Sequence, residues 1–179
     1  MQYISILRGI NVSGQKQIKM ADLKLLYEEL GFRNVVTYIQ SGNVIFSYNG
    51  DAAVDLKFQI EKAIEAKYKF FVPVIIRTKF EILDVINNCP FDTIDLEQNG
   101  TKILVTFLSE SPPESTIDAL MGHVNSPEEM VLRNREVYLY CPNGYGKTKL
   151  SNSFIERKLG VVATTRNWKS TNKLYELCA

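Results

Sequence analysis

The chain is poor in the side chains that metal and acid–base chemistry draw on. Its 179 residues include one histidine, His123, and three cysteines, Cys89, Cys141 and Cys178. An odd number of widely spaced cysteines without a Cys-x-x-Cys pair argues against both a disulfide framework and a zinc site. No metal and no cofactor are expected. A single histidine leaves one side chain whose unperturbed pKa lies near neutrality, and His123 sits in an ordinary helical pattern close to Pro127. Charge of one sign is also missing. Twenty-one Lys and Arg against twenty Asp and Glu give a net charge of +1, whereas an electrostatically driven nucleic-acid binder shows a clear basic excess. An anion site must therefore be local, and nucleic acid is not favoured as a partner. No apolar run approaches the ~20 residues that span a bilayer. The first residues lack a basic n-region and a small-residue cleavage site. A cytoplasmic protein with no membrane partner is expected.

What is present is a regular alternation of β-prone and helical segments. Residues 2–8 alternate, with Ile4 and Ile6 on one face. After a glycine-containing loop, Met20, Leu23, Leu26, Tyr27 and Leu30 recur at helical spacing, and Gly31 follows as a C-terminal cap. Residues 35–39 and 44–48 flank the turn residues Gln40-Ser41-Gly42-Asn43. Asp51 is placed to cap a helix that buries Leu56, Ile60, Ala63 and Ile64, and residues 72–77 form a fourth strand. The order βαββαβ is that of the ferredoxin-like unit.

The second half repeats it. A helix over 80–88 and a polar stretch form a connector, and residues 102–108 read as a strong strand. Ser111-Pro112-Pro113-Glu114 resembles an N-cap, a first-turn proline and a capping-box carboxylate. Strands at 130–133 and 136–141 surround Asn134-Arg135. A helix through Phe154, Ile155 and Leu159 stops at Gly160, residues 161–164 read as the last strand, and Trp168, Thr171, Leu174, Tyr175 and Cys178 share a helical face. No residue-level repeat between the halves is visible. The expected fold is α+β, with two ferredoxin-like halves, each an antiparallel sheet with helices on one face, plus a C-terminal helix. The expected organisation is a subdomain over 1–78, a helical connector over 79–100 and a second subdomain over 101–179.

In a βαββαβ unit the loop after the first strand and the hairpin between the next two leave one end of the sheet. This brings residues 8–14 beside residues 40–43. Arg8 offers a multidentate donor, Asn11, Gln40 and Asn43 offer amides, Ser41 a hydroxyl, and Gly9, Gly14 and Gly42 let backbone N–H groups come close. Lys16 and Lys19 precede a helix N-terminus, which favours anions. The bland alternative is a tight turn at Ser41-Gly42-Asn43, with Asn11 capping its own loop. In the second half, Gly144-Tyr145-Gly146-Lys147 and Thr164-Thr165-Arg166-Asn167 form a second cluster in which Lys147, Arg166 and Asn167 are the candidate ligands. There Thr165 or Asn167 capping the last helix, with Trp168 as a core anchor, is the alternative. Gly146-Lys147-Thr148 is no P-loop, because Cys141 stands where that motif needs glycine. An RNA-recognition sheet is disfavoured too, since Asn43 and Ile45 stand where stacking aromatics belong. The composite expectation is a site for a small phosphorylated or nucleotide-like anion. The alternatives are an enzyme using Tyr38 or Tyr145 as proton donor, a nucleic-acid-binding surface, and a structural or protein-interaction module. No activated nucleophile or carboxylate pair is visible.

These clusters also carry a likeness. Ile6-Leu7-Arg8-Gly9-Ile10-Asn11-Val12, Met20-Ala21-Asp22-Leu23, Thr37-Tyr38-Ile39-Gln40-Ser41-Gly42-Asn43-Val44, Lys149-Leu150-Ser151, Glu156-Arg157-Lys158-Leu159-Gly160, Ala163-Thr164-Thr165-Arg166-Asn167-Trp168 and Lys173-Leu174 resemble the bacterial family called domain of unknown function 1697. The chain departs from it at Ser13, where glycine is common, at Gln15 and Gln17 in a usually basic loop, and at Lys147-Thr148-Lys149. The resemblance implies a bacterial cytoplasmic α+β protein with ferredoxin-like halves. It implies no established activity and no catalytic residues.

Overall fold

The computed structural model describes residues 1–50 and 55–178. The first sheet holds β1 (Gln2–Leu7), β2 (Arg33–Tyr38), β3 (Asn43–Ser47) and β4 (Val74–Thr78), with α1 (Met20–Glu29) and α2 (Leu56–Tyr68) as crossovers and α3 (Lys79–Asn87) after it. The second holds β5 (Ile103–Leu108), β6 (Glu129–Arg133), β7 (Glu136–Tyr140) and β8 (Ala163–Asn167), with α4 (Glu114–Met121), α5 (Asn152–Leu159) and a final α6 (Trp168–Glu176). Strand orders are β2-β3-β1-β4 and β6-β7-β5-β8, every pair antiparallel. This is the expected α+β architecture of two ferredoxin-like sheets with a C-terminal helix. Two compact units emerge: Met1–Leu83 with Leu174–Ala179, and Asp84–Lys173.

In unit 1 the helical spacing of Leu23, Leu26 and Tyr27 and of Leu56, Ile60 and Ile64 turns both crossovers onto Leu7, Val44, Phe46 and Val74. Phe32 stacks on Phe46 at 4.5 Å between ring centroids, and Tyr27 meets Phe46 edge-on at 5.5 Å. Among them Ser5 is buried, its hydroxyl 2.6 Å from that of Tyr27, so neither polar group is left unsatisfied. The other sheet face is closed as well, because Ile4, Ile6, Ile45 and Ile75 are all buried. The cap expected at Asp51 lies outside the described residues; Asp55 caps α2 by accepting from the Phe58 N–H at 3.0 Å.

Unit 2 packs Leu104, Leu108, Val137, Leu139 and Ala163 against Leu120, Ile155 and Leu159. Two sequence expectations need correction here. Helix α4 starts two residues later than the Ser111 cap implies, with Pro113 at the N-cap and no side-chain cap. The last strand is Ala163–Asn167, so the polar cluster is itself the strand. Its threonines favour extended backbone, and their hydroxyls find partners inside the sheet: Thr165 lies 2.8 Å from Thr106 and donates to Asn152 at 3.0 Å.

Both sheets end on a strand whose outer edge is closed by side chains. Glu61 accepts the Val74 N–H at 2.8 Å, and Glu156 accepts the Ala163 N–H at 3.1 Å. Arg77 donates to the Ile76 carbonyl at 3.0 Å and Arg166 to the Thr165 carbonyl at 2.8 Å. Such occupied edges offer little backbone to another strand.

Candidate functional site

The eight candidate residues fall into one group in each unit. In unit 1 the topology assembles Arg8, Asn11, Gln40, Ser41 and Asn43 as the strand order requires. The Gly42 carbonyl accepts from the Leu7 N–H at 2.8 Å, and the Pro73 carbonyl from the Arg8 N–H at 2.9 Å. Gly42, at φ 81°, has no room for a side chain, since a Cβ would stand 2.5–2.9 Å from Ile10 and Leu7. That close approach locks the hairpin onto the loop after β1.

Asn11 is the staple of that loop. Its amide accepts from the Ile18 N–H at 2.9 Å and donates to the Ile18 carbonyl at 3.0 Å and the Gln40 carbonyl at 2.9 Å. Asn43 is buried and donates to the Tyr38 carbonyl at 3.0 Å and to Ser41 Oγ at 3.3 Å. Both amides serve the fold first. Between them the loop bends repeatedly: Gly9, Asn11, Ser13, Gly14 and Lys16 all have positive φ. Several of its N–H groups are spent within the fold: Asn11 donates to the Lys16 carbonyl at 3.2 Å and Gln15 to the Val12 carbonyl at 2.9 Å.

Beside the staple a cleft of about 780 Å³ opens onto the start of α1, lined among others by Asn11, Gln17, Lys19, Met20, Asp22 and Tyr68, with Gln40 at its rim. Lys19 occupies the N-cap without a side-chain hydrogen bond to the first turn, so the amides that begin α1 have no side-chain cap and the helix dipole points its positive end outward. Burial pushes the Tyr68 phenol up, with the Asp22 and Glu29 carboxylates adding to the effect. The sequence singled out Lys16 and Lys19 here, while Gln17 and Asp22 entered only through the family likeness and Tyr68 carried no motif that would mark it.

In unit 2 the second group has a different character. Arg166 is buried, its guanidinium donating to Thr164 Oγ1 at 2.9 Å and to the Thr165 carbonyl, and burial lowers its pKa to about 10. Asn167 caps α6 by accepting from the Ser170 N–H at 2.8 Å, and Trp168 is buried. Tyr145 donates to Thr165 at 3.4 Å with its phenol pushed up chiefly by burial, while Lys147 is exposed. Within its own sheet this group lies toward the start of β5, since Asn167 stands opposite Leu104. The unit 1 group lies where β1 ends. Arg77, the unit 1 counterpart of Arg166, was passed over in the sequence. The signal was one arginine in an apolar strand directly before the helix cap Thr78, as Arg166 precedes Asn167.

Among the described residues no cluster of His, Cys, Asp and Glu could hold a metal ion, and no helix is long and apolar enough to cross a membrane. A family model described as a protein of unknown function, DUF1697, matches residues 1–138. A conserved bacterial protein from Streptococcus pneumoniae has a similar solved structure, with 21% identity, a TM-score of 0.77, and 98% of this chain and 97% of that one covered. No curated protein matches.

Proposed function

We propose that this chain, which belongs to the DUF1697 family of proteins of unknown function, binds a small phosphorylated or nucleotide-like anion at the cleft beside α1. The observation that carries the reading is the helix start without a side-chain cap, opening on that cleft beside Lys19. Backbone amides at a helix N-terminus and a lysine ammonium are complementary to phosphate oxygens. Asn11 and Gly14 of the positive-φ loop line it, and Arg8 stands at the start of the same loop. Asp22 shapes the preference, because a carboxylate at the same cleft opposes a bare anion and accepts from the hydroxyl or amino groups of a sugar or base. A phosphate with such donors attached fits better than inorganic phosphate. Lys147, Arg166 and Asn167 are left out of this site, since Arg166 and Asn167 are engaged in packing and capping. The protein acts here as a binding module, and no residue is assigned a catalytic role.

The experiment is a thermal-shift and calorimetric titration with inorganic phosphate, ribose 5-phosphate and nucleoside monophosphates. The expected result is a raised midpoint with at least one phosphorylated probe, lost in Lys19→Ala and weakened in Arg8→Ala while both variants stay folded. Asp22→Asn should tighten inorganic phosphate. Absence of a shift with every probe at millimolar concentration would leave the motifs with a structural role, the reading that the internally bonded Asn11 and Asn43 favour.

A further inference from the structure

Three connections leave unit 1 at the end of its sheet where β1 finishes: residues 8–19, the hairpin at 39–42 and the link at 69–73. Each holds a large apolar side chain at the surface. Val12 is 57% exposed, Ile39 44% and Phe71 50%. Hydrogen bonds join the three segments into one surface: Asn11 to the Gln40 carbonyl at 2.9 Å, the Lys16 ammonium to the Phe71 carbonyl at 2.8 Å, and the Arg8 N–H to the Pro73 carbonyl. Ile39 is held at φ 50°, a left-handed conformation that a β-branched side chain adopts only under strain. The chain thus presents an apolar group outward in a backbone state that Asn or Gly would occupy more easily, a mark of function rather than of stability.

Charge points the same way. Residues 8–19, 39–42 and 69–73 contain Arg8, Lys16, Lys19 and Lys69 and no Asp or Glu, in a chain whose net charge is only +1. Unit 2 supplies an internal control. Its corresponding connections, residues 109–113, 134–135 and 160–162, balance Glu110 against Arg135 and hold none of the exposed large apolar side chains. The architecture itself does not call for apolar tips ringed by cations.

We propose that this end of unit 1 docks peripherally on an anionic phospholipid surface, with Val12, Ile39 and Phe71 entering the headgroup boundary and the four cations meeting lipid phosphates. The aliphatic tips favour lipid over nucleic acid, because Val and Ile offer no plane on which a base can stack. Such attachment needs no spanning helix. It shares Arg8 and Lys19 with the small-ligand reading, and the tips separate the two, because Val12, Ile39 and Phe71 lie outside the lining of the cleft.

The test is co-sedimentation of the whole chain with vesicles of phosphatidylcholine mixed with phosphatidylglycerol, against phosphatidylcholine alone. Binding is expected to the mixed vesicles, to weaken with salt, and to fall about fivefold in partition for each cation removed, as in Lys69→Gln. Ile39→Asn is the decisive variant. It removes a tip and relieves the left-handed strain, so the thermal midpoint should hold or rise while the bound fraction drops; Phe71→Ser should lower the bound fraction further. The proposal is overturned by no binding to mixed vesicles at low salt, by equal binding to neutral vesicles, or by parent-like binding of Ile39→Asn and Phe71→Ser. Retention on a single-stranded oligonucleotide that depends on these residues, without vesicle binding, would overturn it in favour of nucleic acid.

Discussion

Ser5 and Thr106 stand at the same place in their two sheets, in the middle of the central strand and facing the crossover helices, and each solves the same problem differently. Ser5 gives its hydroxyl to Tyr27 on α1, whereas Thr106 pairs with Thr165 on the neighbouring strand, which in turn donates to Asn152. The correspondence extends through the register. Arg77 lies opposite Ile4 as Arg166 lies opposite Val105, and Asn43 faces Ile6 as Glu136 faces Phe107. The backbone agrees too: Leu7 donates to Gly42 as Leu108 donates to Arg135. The two sheets are therefore duplicates in geometry while hardly any side chain is shared. What repeats is the set of positions where a buried polar group must be satisfied; what varies is the partner that satisfies it.

The largest effect should come from the shared arginines. Replacing either Arg77 or Arg166 by Met strands the groups that bond it and empties a polar site, at an expected cost of about 3 kcal/mol or more in each unit. Chemical denaturation of the two variants checks this, and a large loss for one with none for the other would break the equivalence. High pH acts on both units next, since burial raises the Tyr138 phenol in unit 2 as it does that of Tyr27 in unit 1. Burial holds the Tyr27 phenol far above its ordinary value of 10, so the folded chain keeps a proton that the unfolded chain releases. Stability from this group is intact below pH 10 and is lost as pH rises beyond it, by up to about 1.4 kcal/mol per pH unit. Cys141, pushed up to about 11 chiefly by burial, acts in the same direction from about pH 9. Denaturation midpoints between pH 8 and 11 should fall steeply in the parent and less steeply in Tyr27→Phe. The smallest effect concerns the strand edges. Glu61→Gln and Glu156→Gln each weaken one charge-assisted hydrogen bond and should cost about 1 kcal/mol apiece. Matching losses in urea melts would sharpen the comparison; an unaffected Glu61→Gln would show that only the second edge depends on its glutamate.

Element order was legible in the sequence because crossover helices repeat apolar residues at helical spacing and strands alternate. The last strand was displaced in that reading because Thr165, Arg166 and Asn167 look like loop residues when their partners are unknown. Thr165 and Arg166 become strand residues once Asn152 and a neighbouring carbonyl accept their hydrogens and the Thr106 hydroxyl pairs with that of Thr165. The duplication was hidden for the same reason, since Ser5 and Thr106, or Ile45 and Tyr138, correspond by register and not by identity. The corner of Arg8, Asn11 and Gln40 was legible from topology alone. The roles of Asn11 and Asn43 as staples were not, because a one-dimensional string does not show which carbonyl an amide will meet. Val12, Ile39 and Phe71 escaped notice because lone apolar residues in loops carry no periodicity.

The composition of unit 1 also bears on how the protein is made. That unit joins Met1–Leu83 to Leu174–Ala179, and Leu174 and Cys178 are buried within it. A nascent chain can pair all four strands of the first sheet soon after Thr78 clears the ribosome, and its edge is closed by then through Glu61 and Arg77. The unit nevertheless waits for residues 174–178, which emerge only after the whole second sheet. Synthesis of the later unit is thus a step in the maturation of the earlier one, and a ribosome that stalls between them releases a first unit still lacking residues that its packing requires.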